Sequence, residues 1–245
     1  MCRHLAYVGR PVRLGEFLTD PPHSLVVQSY RPRRQDHGLF NADGFGVGWY
    51  VADEPGPARH RGGGPAWSDE TLAELARVIS APALLAAVRS ATPGTAPGTT
   101  AAAPFRAGRW LFSHNGALDG WPGTAAGLAA GLPPERLLAL EARTDAALLW
   151  AATLDRLEAG ATPGQALTDV VGAALAGGGG GRLNLLLTDG CTIAATRHGA
   201  SLSWRRLAGG VVVASEPYDD GPDWSDVPDH HLLVADPDGV RVTPF

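Results

Sequence analysis

The chain has 245 residues, a net charge of −5 and a pI near 5.9, a balance that argues against a nucleic-acid polyanion as its main partner. Its 2 cysteines cannot build a disulfide framework. All 20 basic residues are arginine, which excludes a Schiff-base lysine and a Walker-type phosphate loop.

The amino terminus carries no apolar run of signal-peptide length, because Arg3 and Arg10 interrupt it. No stretch reaches the roughly 18 apolar residues that span a bilayer. These features predict a cytoplasmic protein without a membrane partner, folded as one domain over residues 2–245. Residues 5–8 form a short apolar run of strand character. Residues 23–30 follow the Pro21-Pro22 break as a short helix. Residues 45–51 read as a strand with Gly44, Gly46 and Gly48 at period two. That leaves one strand face bare, so another backbone or a ligand can approach closely. Residues 53–68 are Pro/Gly-rich and read as loop. Ser68 precedes Asp69 and Glu70, a helix start with acids in its first turn, and the helix runs to about Ile79.

Pro82 opens a strand over 83–89, which leads into the loop 92–104. Residues 110–113 form a further strand. Residues 123–140 hold short helices interrupted by Pro133-Pro134. Thr144 caps a helix over 145–159, and a second helix follows Pro163 to about Leu175. Five glycines, 177–181, break the chain. The period then changes. Residues 183–188 and 192–196 flank Asp189-Gly190, a hairpin signal. Four more strands follow, at 202–205, 211–214, 232–235 and 240–243. Strands, then helices, then strands suggest an α+β layered fold rather than a doubly wound sheet.

Cys2 is the most informative residue. Initiator methionine is normally removed before a small side chain, which would leave a thiol and a free α-amine on one residue. An α-amine titrates at roughly 7.7–8.0 and a thiol at about 8.5, so the amine can serve as base for its own nucleophile. Position alone fits equally well with a small buried cysteine. In Ser113-His114-Asn115-Gly116, the asparagine supplies an amide donor. The glycine lets a backbone N–H approach a developing oxyanion. Asn-Gly is also an ordinary turn, and His114 reads as a polar loop histidine. Arg89, at the end of an apolar strand, can grip a carboxylate or form a structural ion pair. Asp145 can bind an ammonium or simply answer the helix dipole.

Other patterns fail. Asn41-Ala42-Asp43-Gly44 resembles a calcium loop, but Leu39 and Tyr50 occupy positions that need acids. Adjacent His230 and His231 point to opposite faces of a strand, and Cys191 has no ligand partner at suitable spacing. No metal site and no cofactor are expected.

Taken in order, the terminal Cys, the Asp-Gly-x-Gly strand, Arg-x-x-Thr, His-Asn-Gly and Thr-Asp resemble class II glutamine amidotransferase-type N-terminal-nucleophile amidohydrolases. The opening Met1-Cys2-Arg3-His4-Leu5-Ala6-Tyr7, the run 41–49 and Ala214-Ser215-Glu216-Pro217 resemble one branch of that family, γ-glutamyl hydrolases of ergothioneine biosynthesis. The resemblance implies a four-layer αββα sandwich and hydrolysis of the γ-glutamyl amide of a small molecule. By it, Cys2 is the nucleophile, Asn115 and Gly116 form the oxyanion hole, Arg89 and Thr92 bind the α-carboxylate, and Asp145 binds the α-ammonium. Ser90 stands where such domains commonly carry Trp, and Pro93 follows Thr92. These changes imply a different wall around the leaving group. The trimethylammonium of such a substrate favours aromatic faces and acids, which the segment Tyr218, Asp219, Asp220, Asp223, Trp224 offers. Two other readings stay open: a glutaminase subunit feeding ammonia to a separate synthase, and a non-catalytic γ-glutamyl-binding protein.

Overall fold

The computed structural model describes residues 2–36, 38, 40–91, 95 and 98–245. In chain order the elements are β1 (Arg3–Arg13), α1 (Gly15–Leu18), α2 (Leu25–Tyr30), β2 (Phe45–Trp49), β3 (Ala58–Gly62), α3 (Glu70–Val78), β4 (Ser80–Val88), β5 (Phe105–Ala107) and β6 (Trp110–Leu118). Helices α4 (Ala126–Ala130), α5 (Pro134–Leu138), α6 (Asp145–Glu158) and α7 (Pro163–Ala176) follow. The chain finishes with β7 (Gly181–Thr188), β8 (Ile193–Arg197), β9 (Ser203–Leu207), β10 (Gly210–Ala214), β11 (Ser225–Asp226), β12 (His231–Ala235) and β13 (Val240–Pro244).

The strands form two antiparallel sheets. One runs β11-β9-β10-β1-β4-β2-β3 and the other β13-β12-β8-β7-β6-β5. Side-chain alternation builds four layers from them. Ala6, Val8, Leu85, Val211 and Val213 of the first sheet meet Leu111, Leu186, Ile193, Ala195 and Leu233 of the second in a core between the sheets. Leu5, Tyr7, Leu84 and Val212 face the other way, against Phe17, Leu18, Leu25 and Leu72 of α1–α3. Phe112, Leu183, Leu185 and Leu187 face outward against Leu148, Leu149, Leu167 and Val171 of α6 and α7. The expected αββα sandwich is therefore present.

Several local details differ from the sequence reading. The N-cap of α3 is Asp69, whose carboxylate accepts the Leu72 N–H, rather than Ser68. Pro82 lies inside β4, at the bulge where the β1 register shifts between Val8 and Val12. A residue without an N–H is tolerated at such a break in the ladder. Residues 58–62, read as loop, are the edge strand β3. Polar Arg59, His60 and Arg61 give it no alternating signature. The bare glycine face of β2 takes protein, not ligand. A Cβ on Gly46 would lie 2.4 Å from the Ala103 carbonyl oxygen, and one on Gly48 would lie 2.6 Å from Leu111. The segment carrying Ala101 and Ala103 thus seats directly on β2.

The strand predicted over 110–113 continues to Leu118, so His114-Asn115-Gly116 is strand and not loop. Its neighbour β5 is short. Phe105 pairs with Phe112, and among the described residues β6 beyond that point pairs with β7 alone. This open edge positions the site.

Candidate active site

A narrow pocket lies beside the open edge of β6. Cys2, Arg89, Ser90, Ala101, Ala103, Phe105, Ser113, His114, Gly116, Thr144 and Asp145 are among its lining residues. It therefore gathers Cys2, Arg89, Gly116 and Asp145 from four distant parts of the chain.

The first sheet delivers Cys2 and Arg89. β1 pairs with β4 through Arg3 and Val88, so the residues one step beyond, Cys2 and Arg89, lie alongside each other. Cys2 is half-buried, and its Sγ lies 3.9 Å from the Ser90 carbonyl oxygen. Arg89 is buried. Its guanidinium donates to the Asp43 carbonyl at 3.1 Å and to Thr95 Oγ1 at 3.0 Å. Asp43 clamps this corner further. Its N–H donates to the Arg89 carbonyl, and its carboxylate accepts the Ala91 N–H at 2.8 Å. Among the described residues, no acid lies within ion-pair distance of Arg89. Thr92 lies outside the described residues.

The second sheet and α6 deliver the rest. Two backbone N–H groups hold the Asp145 carboxylate: Leu118 at 3.0 Å and Ala146 at 2.8 Å. Thr144 accepts the Ala147 N–H at 3.1 Å and so caps α6. His114 Nε2 faces the Arg182 carbonyl at 2.9 Å, which assigns the ring proton to that nitrogen. Nδ1 lies 4.0 Å from Asp145 and answers the carboxylate charge only when the ring carries both protons. His114 is a buried strand residue, not the polar loop histidine expected.

The ladder fixes where Gly116 points. Leu183, its partner on β7, sends its N–H to the His198 carbonyl and its C=O to Thr196 Oγ1, both away from β6. Gly116 and Leu183 are thus a pair without mutual hydrogen bonds, and the Gly116 N–H points to the open edge. The Leu118 N–H, two residues on, already takes that direction to reach Asp145. Gly116 has φ +153°, and a Cβ there would sit 1.7 Å from the Arg182 carbonyl oxygen, so only glycine fits.

Asn115 points between the sheets. Its side chain is buried and does not line the pocket. Nδ2 meets Ser215 Oγ at 3.2 Å, and Oδ1 meets no donor among the described residues. On the same face, Ser113 Oγ lies 3.1 Å from His4 Nδ1. Burial lowers the His4 pKa to about 3, with Arg3 and His114 acting in the same direction, so the ring is neutral near pH 7.

Sequence reasoning missed Asp43, Ser215 and Glu216. The Glu216 carboxylate faces buried Arg3 at 3.7 Å and accepts the N–H groups of Arg33 and Arg34. The Ala-Ser-Glu-Pro run was the available signal, but no local pattern reveals its partners. The segment 218–224 does not offer the expected cation site. Arg205 already lies over the rings of Tyr218 and Trp224 and pairs with Asp219. Among the described residues, no group of three or more His, Cys, Asp or Glu could hold a metal ion, and no helix is long and apolar enough to cross a membrane.

Class II glutamine amidotransferases match residues 16–208. A γ-glutamyl-hercynylcysteine sulfoxide hydrolase from Mycolicibacterium smegmatis is 42% identical over 250 residues, covering 100% of both chains. A glutamine aminotransferase class-II domain protein from Silicibacter pomeroyi superposes with a TM-score of 0.73 at 25% identity, covering 100% of this chain and 99% of that one. The glutamine phosphoribosylpyrophosphate amidotransferase of B. subtilis superposes at 0.66 and 17% identity over 49% of its own length, a likeness of fold alone.

Proposed function

The chain belongs to the class II glutamine amidotransferase family, and within it we propose that this enzyme hydrolyses γ-glutamyl-hercynylcysteine sulfoxide to glutamate and hercynylcysteine sulfoxide, a step of ergothioneine biosynthesis. One observation carries the reading. Among the described residues, buried Arg89 has no acid and buried Asp145 no arginine within ion-pair distance, and both line the same pocket as Cys2 and Gly116. A γ-glutamyl group supplies the missing partners: a carboxylate for Arg89 and an ammonium for Asp145. Full-length identity to a hydrolase of that substrate supports the choice of leaving group.

The chemistry follows from this placement. With Met1 removed, the Cys2 α-amine accepts the thiol proton. The thiolate attacks the δ-carbonyl, and the Gly116 N–H and the Asn115 amide stabilise the oxyanion. The C–N bond breaks as the protonated amine delivers its proton to the leaving nitrogen. Water then attacks the thioester, releasing glutamate and restoring the thiol. Arg89 and Asp145 hold both ends of the glutamyl group, so the amide stays in attack geometry throughout. Thr92 assists Arg89 at the carboxylate. The domain spans residues 2–245, the enzyme needs no cofactor, and it works in the cytoplasm.

Glutamate release from glutamine, a γ-glutamylcysteine thioether and γ-glutamyl-hercynylcysteine sulfoxide tests the reading. The sulfoxide is expected to give the highest kcat/KM. A preference for free glutamine, rising on addition of a synthase, would instead indicate an ammonia-supplying subunit. Cys2→Ala is expected to lower kcat by on the order of 10⁴-fold or more and to remove any thioester adduct at the N-terminal peptide. Full activity with Met1 still attached would sink the amine-as-base step.

A further inference from the structure

The most informative loose end in the molecule is the Asn115 carboxamide. It is fully buried, its amide nitrogen lies 3.2 Å from Ser215 Oγ, and its Oδ1 meets no donor among the described residues. The same Ser215 hydroxyl also accepts the His4 N–H at 3.0 Å. In this arrangement one hydroxyl accepts two protons, its own proton has no acceptor among the described residues, and a buried amide oxygen goes unpaired. Both defects have a single remedy. The oxygen and nitrogen of an amide are distinguished only by their partners. Turning the Asn115 amide by half a rotation lets the Ser215 O–H donate to Oδ1 while Oγ still accepts from His4. The NH₂ group then points away from Ser215 with its protons unused, the state an oxyanion donor needs before substrate arrives.

We propose that Ser215 is a positioning residue that holds the Asn115 carboxamide with its NH₂ turned toward the reacting carbonyl. The proposal rests on the γ-glutamyl hydrolase reading above. Ser215 suits this task because it is itself fixed. It is fully buried, its N–H donates to the His4 carbonyl at 2.9 Å, and its carbonyl accepts from Ser201 Oγ at 2.7 Å. His4 lies two residues from Cys2 on β1, whereas Asn115 belongs to the opposite sheet. The hydroxyl therefore links the two sheets, from the β1 backbone near the nucleophile to the oxyanion donor on β6. An unguided amide would spend part of its time with oxygen facing oxygen, where it repels the transition state.

The test compares Ser215→Thr with Ser215→Val. These two side chains have nearly the same volume and differ in the hydroxyl, so their packing costs cancel. With γ-glutamyl-hercynylcysteine sulfoxide, the Val form is expected to show kcat lower than the Thr form by on the order of 10- to 100-fold, with KM within about twofold. In an Asn115→Ala background the difference is expected to vanish, since there is no amide left to orient. Alkylation of Cys2 by a glutamine-like chloroketone at equal rates in both forms reports that the pocket is folded. Equal kcat for the Thr and Val forms overturns the proposal, as does a difference that persists in the Asn115→Ala background. If Asn115→Ala alone keeps its turnover, the oxyanion assignment fails instead, and the two failures are told apart.

Discussion

Arg89 follows the end of β4 and Arg205 lies in the middle of β9, and the fold treats these two arginines in opposite ways. Arg205 is complete. It forms two bonds to Asp219, at 2.8 and 2.9 Å, and one to the Tyr218 hydroxyl at 2.8 Å. Its guanidinium lies 5.0 and 4.9 Å from the ring centres of Tyr218 and Trp224. Arg89 is buried more deeply and, among the described residues, meets a backbone carbonyl and a threonine hydroxyl but no acid. A buried guanidinium without a counter-charge costs several kcal/mol. That cost is offset when a carboxylate enters. Asp145 shows the same contrast with Asp219. Among the described residues, Asp145 has two backbone N–H donors and no arginine within ion-pair distance, whereas Asp219 has Arg205, Trp224 and Gly221. Despite burial, those partners hold the Asp219 carboxyl below its usual range. Binding groups in this molecule are the charges that the protein itself leaves unanswered.

The comparison breaks most readily at the arginines. Arg89→Gln is expected to lower kcat/KM for the γ-glutamyl substrate by about 10²–10³-fold, mainly through KM, because it removes a charge-paired carboxylate contact. Arg205→Gln is expected to leave kcat/KM within about threefold while lowering unfolding stability by about 1–3 kcal/mol. Steady-state kinetics and urea titrations on both variants decide the matter. If Arg89→Gln costs stability and spares KM, its role is structural and the substrate assignment is wrong.

This distinction also marks how far sequence reasoning reached. Cys2, Arg89, Gly116 and Asp145 could be named as candidates from residue type and order, and they line one pocket. Their meaning depended on what each one lacks, and a missing counter-ion is a three-dimensional fact. Arg89 and Arg205 have the same side chain, and residue type alone does not say which of them the fold leaves without a counter-ion. The layered fold was legible because Leu185, Leu186 and Leu187, and their equivalents in the other strands, supply both faces of buried sheets. Strands β3 and β5 were not. The first has three polar residues in a row at its centre, and the second has only three residues, held by pairing rather than by pattern. Asp43 and Ser215 stayed hidden because their work is done by contacts 48 and 100 residues away.

His4 sharpens the contrast from another side, as a titratable group that the fold answers by keeping it uncharged. Burial takes its pKa from 6.5 to about 3. The unfolded chain protonates this ring below about pH 6.5, while the folded one stays neutral down to about pH 3. Stability is therefore lost as pH falls through that window. Between pH 7 and pH 5 this single ring is expected to remove about 2 kcal/mol. His4→Asn is expected to be less stable at pH 7 but to lose this part of the acid sensitivity. Urea midpoints at the two pH values measure it. An unchanged pH dependence in the variant would place the acid lability elsewhere.

The smallest effect separates two helix caps of the same chemistry. Thr144 caps α6 and Thr162 caps α7, each accepting an N–H from three residues on. Either Thr→Ala change removes a partner from the first turn and is expected to cost about 1 kcal/mol, less at Thr162, whose cap is exposed. Only α6 begins with a residue of the pocket. Fraying its first turn loosens the Ala146 N–H that holds the Asp145 carboxylate, and with it the geometry of the ammonium site. Thr144→Ala is therefore expected to raise KM severalfold, on the order of the 0.5–1.5 kcal/mol of one hydrogen bond, with kcat little changed. Thr162→Ala is expected to leave KM alone. Equal KM values for the two variants would mean that Asp145 is held without help from its helix, by the Leu118 N–H on the edge of β6.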